Sequence, residues 1–278
     1  MMTPSRSQQP ASDKELDSAI SDALDASGLR EIAYAYVADL DAMRYGAYRA
    51  DEVIYPASVI KVPIMAEAFR KAEAGELRLD DVVTVTQANQ TTTWGGESPF
   101  HAGAKATVRD LVDRMITHSD NVATNQLFDV LRRERVTAFM RELGLPTFFL
   151  GRKLSGSEPL IVDDEMTGRN RLPPHEIGTL LTLIATDAVP AAARQREILR
   201  RCLHNEKLVP ALREGDVFMH KTGETSDLSH DAGILKTAEG TSYVVVLYTN
   251  PESRGDDTEA DHVNPQMTDW MRSLRARL

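Results

Sequence analysis

Residues 56–63 read Pro56-Ala57-Ser58-Val59-Ile60-Lys61-Val62-Pro63, and they open an apolar run that continues to Ala74 before Gly75 interrupts it. The spacing predicts a helix with Gly75 as its stop. Pro63 falls within the first turns of that helix, where a missing N–H costs least. Three positions along a helix is one neighbouring step on the same face, so Lys61 sits beside Ser58. A serine hydroxyl is a poor nucleophile near neutral pH and needs an adjacent base. A lysine serves as that base only when its pKa falls far below its ordinary value of about 10.4. Burial and a second nearby cation both push it down.

Working outward, Ser119-Asp120-Asn121 lies 61 residues beyond Ser58, and Lys221-Thr222-Gly223 lies 102 residues beyond Ser119. Lys221 is a candidate for the second cation. Ser119 offers a hydroxyl to relay a proton to a leaving group, and Asn121 offers an amide to orient substrate. With 16 serines and 8 lysines in the chain, about half an S-x-x-K is expected by chance. Ser58 is nonetheless the only serine followed three residues later by lysine. An S-D-N or a K-T-G arises by chance roughly 0.03 times each. Together the three motifs are the signature of class A β-lactamases and penicillin-binding proteins. In motif order and in both intervals the chain resembles the class A β-lactamase family.

Bulk properties narrow the function classes independently. The chain has 278 residues, enough for one large or two moderate domains with an ample core. It is 42% hydrophobic and 27% charged, with a net charge of −10. That balance argues against nucleic acid and against an anionic membrane surface. An anionic substrate must then be caught by local cations. The lone cysteine, Cys202, lies in a helical pattern, forms no intramolecular disulfide and is expected as a buried thiol. The seven histidines contain no H-E-x-x-H and no tight pair, so no metal and no cofactor are expected. Met1–Lys14 is polar, without the apolar core of a signal peptide and without a membrane span. As written the chain reads as cytoplasmic, and as periplasmic or secreted if a native leader is missing. The expected partner is a small molecule, and the expected state a monomer.

Along the chain, residues 1–12 are Ser/Gln/Pro-rich and expected to be disordered. Asp13–Ser27 reads as an amphipathic helix stopped by Gly28, and 32–40 and 43–49 as two strands. After the Ser58 helix come a short extended piece, 82–86, and three helices over 107–118, 121–131 and 136–143, the first with Thr107 as N-cap. Residues 144–171 lack periodicity, and a long loop inside a compact domain is usually functional. Helices return at 174–187 and 191–204. The period then changes to two: 216–222, 230–236 and 242–249 read as an antiparallel meander, followed by a helix over 266–278.

The resemblance implies an α+β fold, an α/β sandwich with a five-stranded antiparallel sheet plus an inserted all-helical domain. On this chain that gives 13–54 and 206–278 as the sheet domain. Residues 55–205 form the helical domain, including an Ω-type loop at about 144–172. The active site would lie between them. The resemblance further implies Ser58 as nucleophile, Lys61 as acylation base, Ser119 as proton relay, and the backbone N–H groups of Ser58 and Glu224 as the oxyanion hole. Asn121, Lys221, Thr222 and Gly223 would bind substrate, with Trp94 as an aromatic at the cleft mouth. The deacylating glutamate of the family's loop is matched by Glu158, in Ser157-Glu158-Pro159-Leu160-Ile161-Val162, with Asp163, Asp164 and Glu165 as rivals. The family's loop-closing aspartate falls on Asn170, and the arginine that grips a substrate carboxylate has no counterpart near His230 and Asp231. Glu224 is bulkier and more acidic than the small residue expected there. The function implied is a serine β-lactamase acting through a seryl acyl-enzyme. Two alternatives stay open: an esterase or D-Ala-D-Ala peptidase on the same scaffold, and a β-lactam-binding sensor that acylates and stalls.

Overall fold

The computed structural model describes residues 10–93, 96–156, 160–251 and 260–278. Its centre is a six-stranded sheet in the order β1-β3-β2-β8-β7-β6. The strands are β1 (Ala11–Ser12), β2 (Ala33–Asp39), β3 (Arg44–Tyr48), β6 (Val217–Glu224), β7 (Ser229–Lys236) and β8 (Ser242–Thr249). Five of them are the expected antiparallel strands. The sixth, β1, runs parallel to β3 through Ala11↔Arg44 and Ser12↔Tyr45. The stretch expected as disordered thus pairs with the sheet from Ala11 onward. Two residues are too short for periodicity to register.

Both faces of the sheet are covered, which explains why β8 reads Ser-Tyr-Val-Val-Val-Leu-Tyr-Thr without polar alternation. Val245 and Leu247 point to one core with Val37, Ile20 and Trp270. Val244, Val246 and Tyr248 point to the other with Tyr36, Ile60 and Leu180. The first core is roofed by α1 (Lys14–Ser27) and α8 (Asn264–Arg275). Helix α1 starts where the Asp13 side chain accepts from the backbone N–H groups of Glu15 and Leu16, at 2.7 and 3.1 Å. It stops at Gly28, whose φ of 72° suits glycine.

The second core holds α2 (Lys61–Glu73), α3 (Val108–Thr117), α4 (Asn121–Leu131), α5 (Arg133–Glu142), α6 (Pro174–Ala185) and α7 (Ala192–Leu199). This middle was expected to be all-helical, yet it also carries a two-stranded ribbon of β4 (Val82–Thr84) and β5 (Lys105–Thr107). Thr107 caps α3 in a capping box with Asp110. The run 144–171 contains no helix among its described residues and is closed by a backbone bridge between Phe149 and Arg171.

Candidate active site

Lys61 is the first residue of α2 and is fully buried. The α2 face that reads as continuously apolar is buried on all sides from Lys61 to Arg70, so the amine is drawn into the core with its helix. Among the described residues its three polar contacts all go to one motif: Ser119 carbonyl oxygen at 2.7 Å, Ser119 Oγ at 3.0 Å and Asn121 Oδ1 at 2.8 Å. Burial first, then the charge of Lys221, pushes the Lys61 pKa well below the usual lysine range, with Asp120 opposing. An amine that sheds its proton here keeps two N–H donors and gains a lone pair, which can accept from Ser119 Oγ–H.

Ser58 lies in a 3-10 turn (Ala57–Ile60) that runs directly into α2, and it is half-buried. Ala57, just before it, takes φ 46°, and Ser119 takes φ 56°. Left-handed backbone at a residue with a Cβ costs roughly 1–2 kcal/mol, and such strain collects at functional sites. At Ser119 it folds carbonyl and hydroxyl back onto the same amine. Asp120 then caps α4, accepting from the Ala123 N–H at 2.9 Å while Arg114 Nε donates to its other oxygen at 3.1 Å. Asn121 spends its oxygen on Lys61 and one N–H on the Thr92 carbonyl at 3.1 Å. Among the described residues its other amide N–H has no partner.

The third wall is β6, the edge strand of the sheet. Gly223 permits its close approach: a Cβ there would lie 2.8 Å from the Pro56 carbonyl oxygen and 3.2 Å from Ala57 Cβ. Lys221 is fully buried, with its ammonium on the Thr222 carbonyl at 2.8 Å. Burial lowers its pKa, with Cys202 and Asp231 pulling the other way. Thr222 is buried as well. Cys202 is a free, buried thiol whose pKa is raised by burial. The structure therefore brings Ser58, Lys61, Ser119, Asn121, Lys221, Thr222 and Gly223 together where the Ser58 turn, the starts of α2 and α4, and β6 meet.

Trp94 and Glu158 lie outside the described residues. Their flanks meet beside Asn121: the Gly156 N–H donates to Thr91 Oγ1 at 3.1 Å, and a Cβ on Gly156 would lie 2.1 Å from the Thr92 carbonyl oxygen. The long loop is fastened by groups that carry no motif signal. Arg133, at the start of α5, makes a buried two-pronged ion pair with Asp163 at 2.9 and 3.1 Å. Asn170 accepts from the Gly151 and Arg152 N–H groups at 2.8 and 3.0 Å. The loop is thus locked from outside itself, by α5, and Asn170 pins it through backbone. Asp163 is committed to that lock, and the Arg133 guanidinium helps hold its carboxyl below the usual range against burial. Asp164 and Glu165 are exposed.

Where a carboxylate-gripping arginine was missed, His230 and Asp231 serve the fold. His230 is buried, its Nε2 on the Tyr55 carbonyl at 3.0 Å and its Nδ1 accepting from the Thr249 N–H at 3.2 Å. Asp231 bonds His220 Nδ1 at 2.8 Å, and His220 Nε2 reaches Asn205 Oδ1 at 3.1 Å. Sequence reading also missed Lys207. It is fully buried and pairs with Glu224. A lysine in a loop 14 residues before Lys221 has no periodic or motif signal to mark it. Among the described residues no group of three His, Cys, Asp or Glu could hold a metal ion. Among them, too, no helix is long and apolar enough to cross a membrane.

Comparison with known proteins agrees with this geometry. A β-lactamase of Rhodobacter capsulatus is 26% identical over 224 residues, covering 77% of this chain and 72% of the relative. The structure of an ancestral class A β-lactamase superposes with a TM-score of 0.79 at 25% identity, covering 95% of this chain and all of that one. A β-lactamase structure from Sphaerobacter thermophilus shares the fold at a TM-score of 0.80 and 23% identity, covering 94% and 97%. The model of the beta-lactamase enzyme family matches residues 15–270, and the chain belongs to that family.

Proposed function

We propose that this chain is a serine β-lactamase of the class A kind, opening the β-lactam amide through an acyl-enzyme on Ser58. The observation that carries the reading is the cage around Lys61. A fully buried amine is held by Ser119 and Asn121, one step along the helix from Ser58. As a neutral amine it takes the Ser58 proton while Oγ attacks the carbonyl carbon. The developing oxyanion is met by the backbone N–H groups of Ser58 and Glu224, the latter on an edge strand whose outer backbone groups have no strand partner among the described residues. Removing one such donor costs about 2.7–4 kcal/mol in comparable sites. The Ser119 hydroxyl passes a proton to the ring nitrogen as the C–N bond breaks, and regains one from Lys61. Water, activated by Glu158, then hydrolyses the ester. The commitment of Asp163 to Arg133 favours Glu158 over that rival.

The substrate is a small β-lactam, and the enzyme works on it as a monomer. Intact-mass measurement tests the reading directly. Benzylpenicillin should add its full mass, and Ser58→Ala should remove the adduct. An adduct that survives that change sinks the assignment. A product burst equal to the enzyme concentration, then a slow steady rate, is expected if deacylation limits the cycle. Glu158→Ala should keep the burst and remove most of the steady rate. An unchanged steady rate would pass the role to Asp164 or Glu165.

A further inference from the structure

Glu224 follows Thr222 by two residues on β6, so both side chains lie on one face of the strand, roughly 7 Å apart. That carboxylate is not loose. Lys207, fully buried, donates to Glu224 Oε2 and lies 3.3 Å from Asn264 Oδ1. Asn264 Oδ1 in turn accepts from Ser229 Oγ at 2.8 Å, opposite Glu224 on β7. Thr268 Oγ1 holds the Lys207 carbonyl at 2.5 Å. A second carboxylate, Glu206, stands 3.9 Å from the same ammonium. Behind them Asp231 is buried and paired with His220. On the Thr222 face of β6, Lys207 therefore stands against two acids, Glu224 and Glu206, with Asp231 already paired to His220 behind them. The Lys207 ammonium already has its anion, and Glu224 keeps part of its side chain exposed.

We infer that Glu224 is an internal stand-in for a substrate carboxylate, and that the site selects acyl donors that are neutral or cationic at that position. The inference rests on the acyl-transfer reading of Ser58 and deepens it to a substrate class. A substrate anion near Thr222 must displace Glu224 from Lys207 or sit beside an uncompensated carboxylate. Either route disfavours it in binding. An esterified β-lactam or another uncharged acyl donor meets neither obstacle.

Benzylpenicillin and its methyl ester differ at that one group, a carboxylate in the acid and an uncharged ester in the other. The native chain should show the higher kcat/KM with the ester. Glu224→Gln frees the Lys207 ammonium, and the acid-to-ester ratio of kcat/KM should rise about tenfold, carried by KM for the acid. Lys207→Met added to Glu224→Gln should return the ratio to its starting value. Thermal melting and circular dichroism check that each variant is folded, and the native comparison needs no variant. A native preference for the free acid, with a ratio unmoved by Glu224→Gln, overturns the inference. If neither compound acylates Ser58 by intact mass, the acyl-transfer reading falls, and the substrate class with it.

Discussion

Lys61 shows how a single residue acquires its chemistry. The three acceptor atoms that Ser119 and Asn121 turn to it stabilise a charged ammonium, yet burial and Lys221 oppose the charge and win. Acylation needs the neutral amine, so its rate should rise with pH through the lowered Lys61 pKa. Lys221→Ala removes a cation that holds that value down. The acid limb of the acylation rate should then move to higher pH, as read by stopped-flow acylation from pH 5 to 10. A limb that stays in place would separate Lys221 from Lys61. His230 gives a second pH dependence, of stability. Burial lowers its pKa to about 4. The native state also needs it neutral, because Nδ1 must accept from the Thr249 N–H. The group is depressed, so its contribution is complete above the unfolded value of about 6.5 and is lost as pH falls toward 4. That interval corresponds to about 3 kcal/mol. Urea midpoints measured from pH 7 to 4 should fall steeply for the native chain and less steeply for His230→Gln.

At the scale of the element, the long loop depends on its lock. Arg133 and Asp163 are both buried, and removing one partner of a buried pair costs about 3–5 kcal/mol by leaving the other charge unpaired. Asp163→Ala should lower the melting temperature and open 144–172 to limited proteolysis. Arg133→Met with Asp163→Leu should recover much of the stability. Asp163→Ala as stable as the native chain would show the pair to be inert. The lock was illegible in sequence because its two ends are 30 residues apart and obey no period. It also sits where the predicted α5 start, Val136, falls three residues late. The arginine-rich opening 132–135 conceals the first turn from an apolar pattern, although the backbone is helical from Arg133. The strands of the meander were legible because both cores press on β8, which leaves a run of apolar residues with no rival reading. Ser58, Lys61, Ser119 and Lys221 were legible through motif spacing. The Lys207–Glu224 pair was not, since its meaning exists only once a loop folds against a strand edge.

For the whole molecule, the sheet order has a consequence in time. Strand β2 pairs with β8, Ala33 facing Thr249. More than two hundred residues must be synthesised between the two partners. At roughly 5–20 residues per second, the first hairpin waits ten seconds or more with one edge open. Local contacts let the helices that hold Lys61 and Ser119 form during that interval. The strand bearing Lys221 leaves the ribosome later, and β8, which stitches it to β2, later still. Ribosome-stalled chains ending near residue 215 should therefore show helical content but no acylation. Until its last strand arrives the nascent chain has its nucleophile without its field, which keeps a half-made enzyme chemically silent.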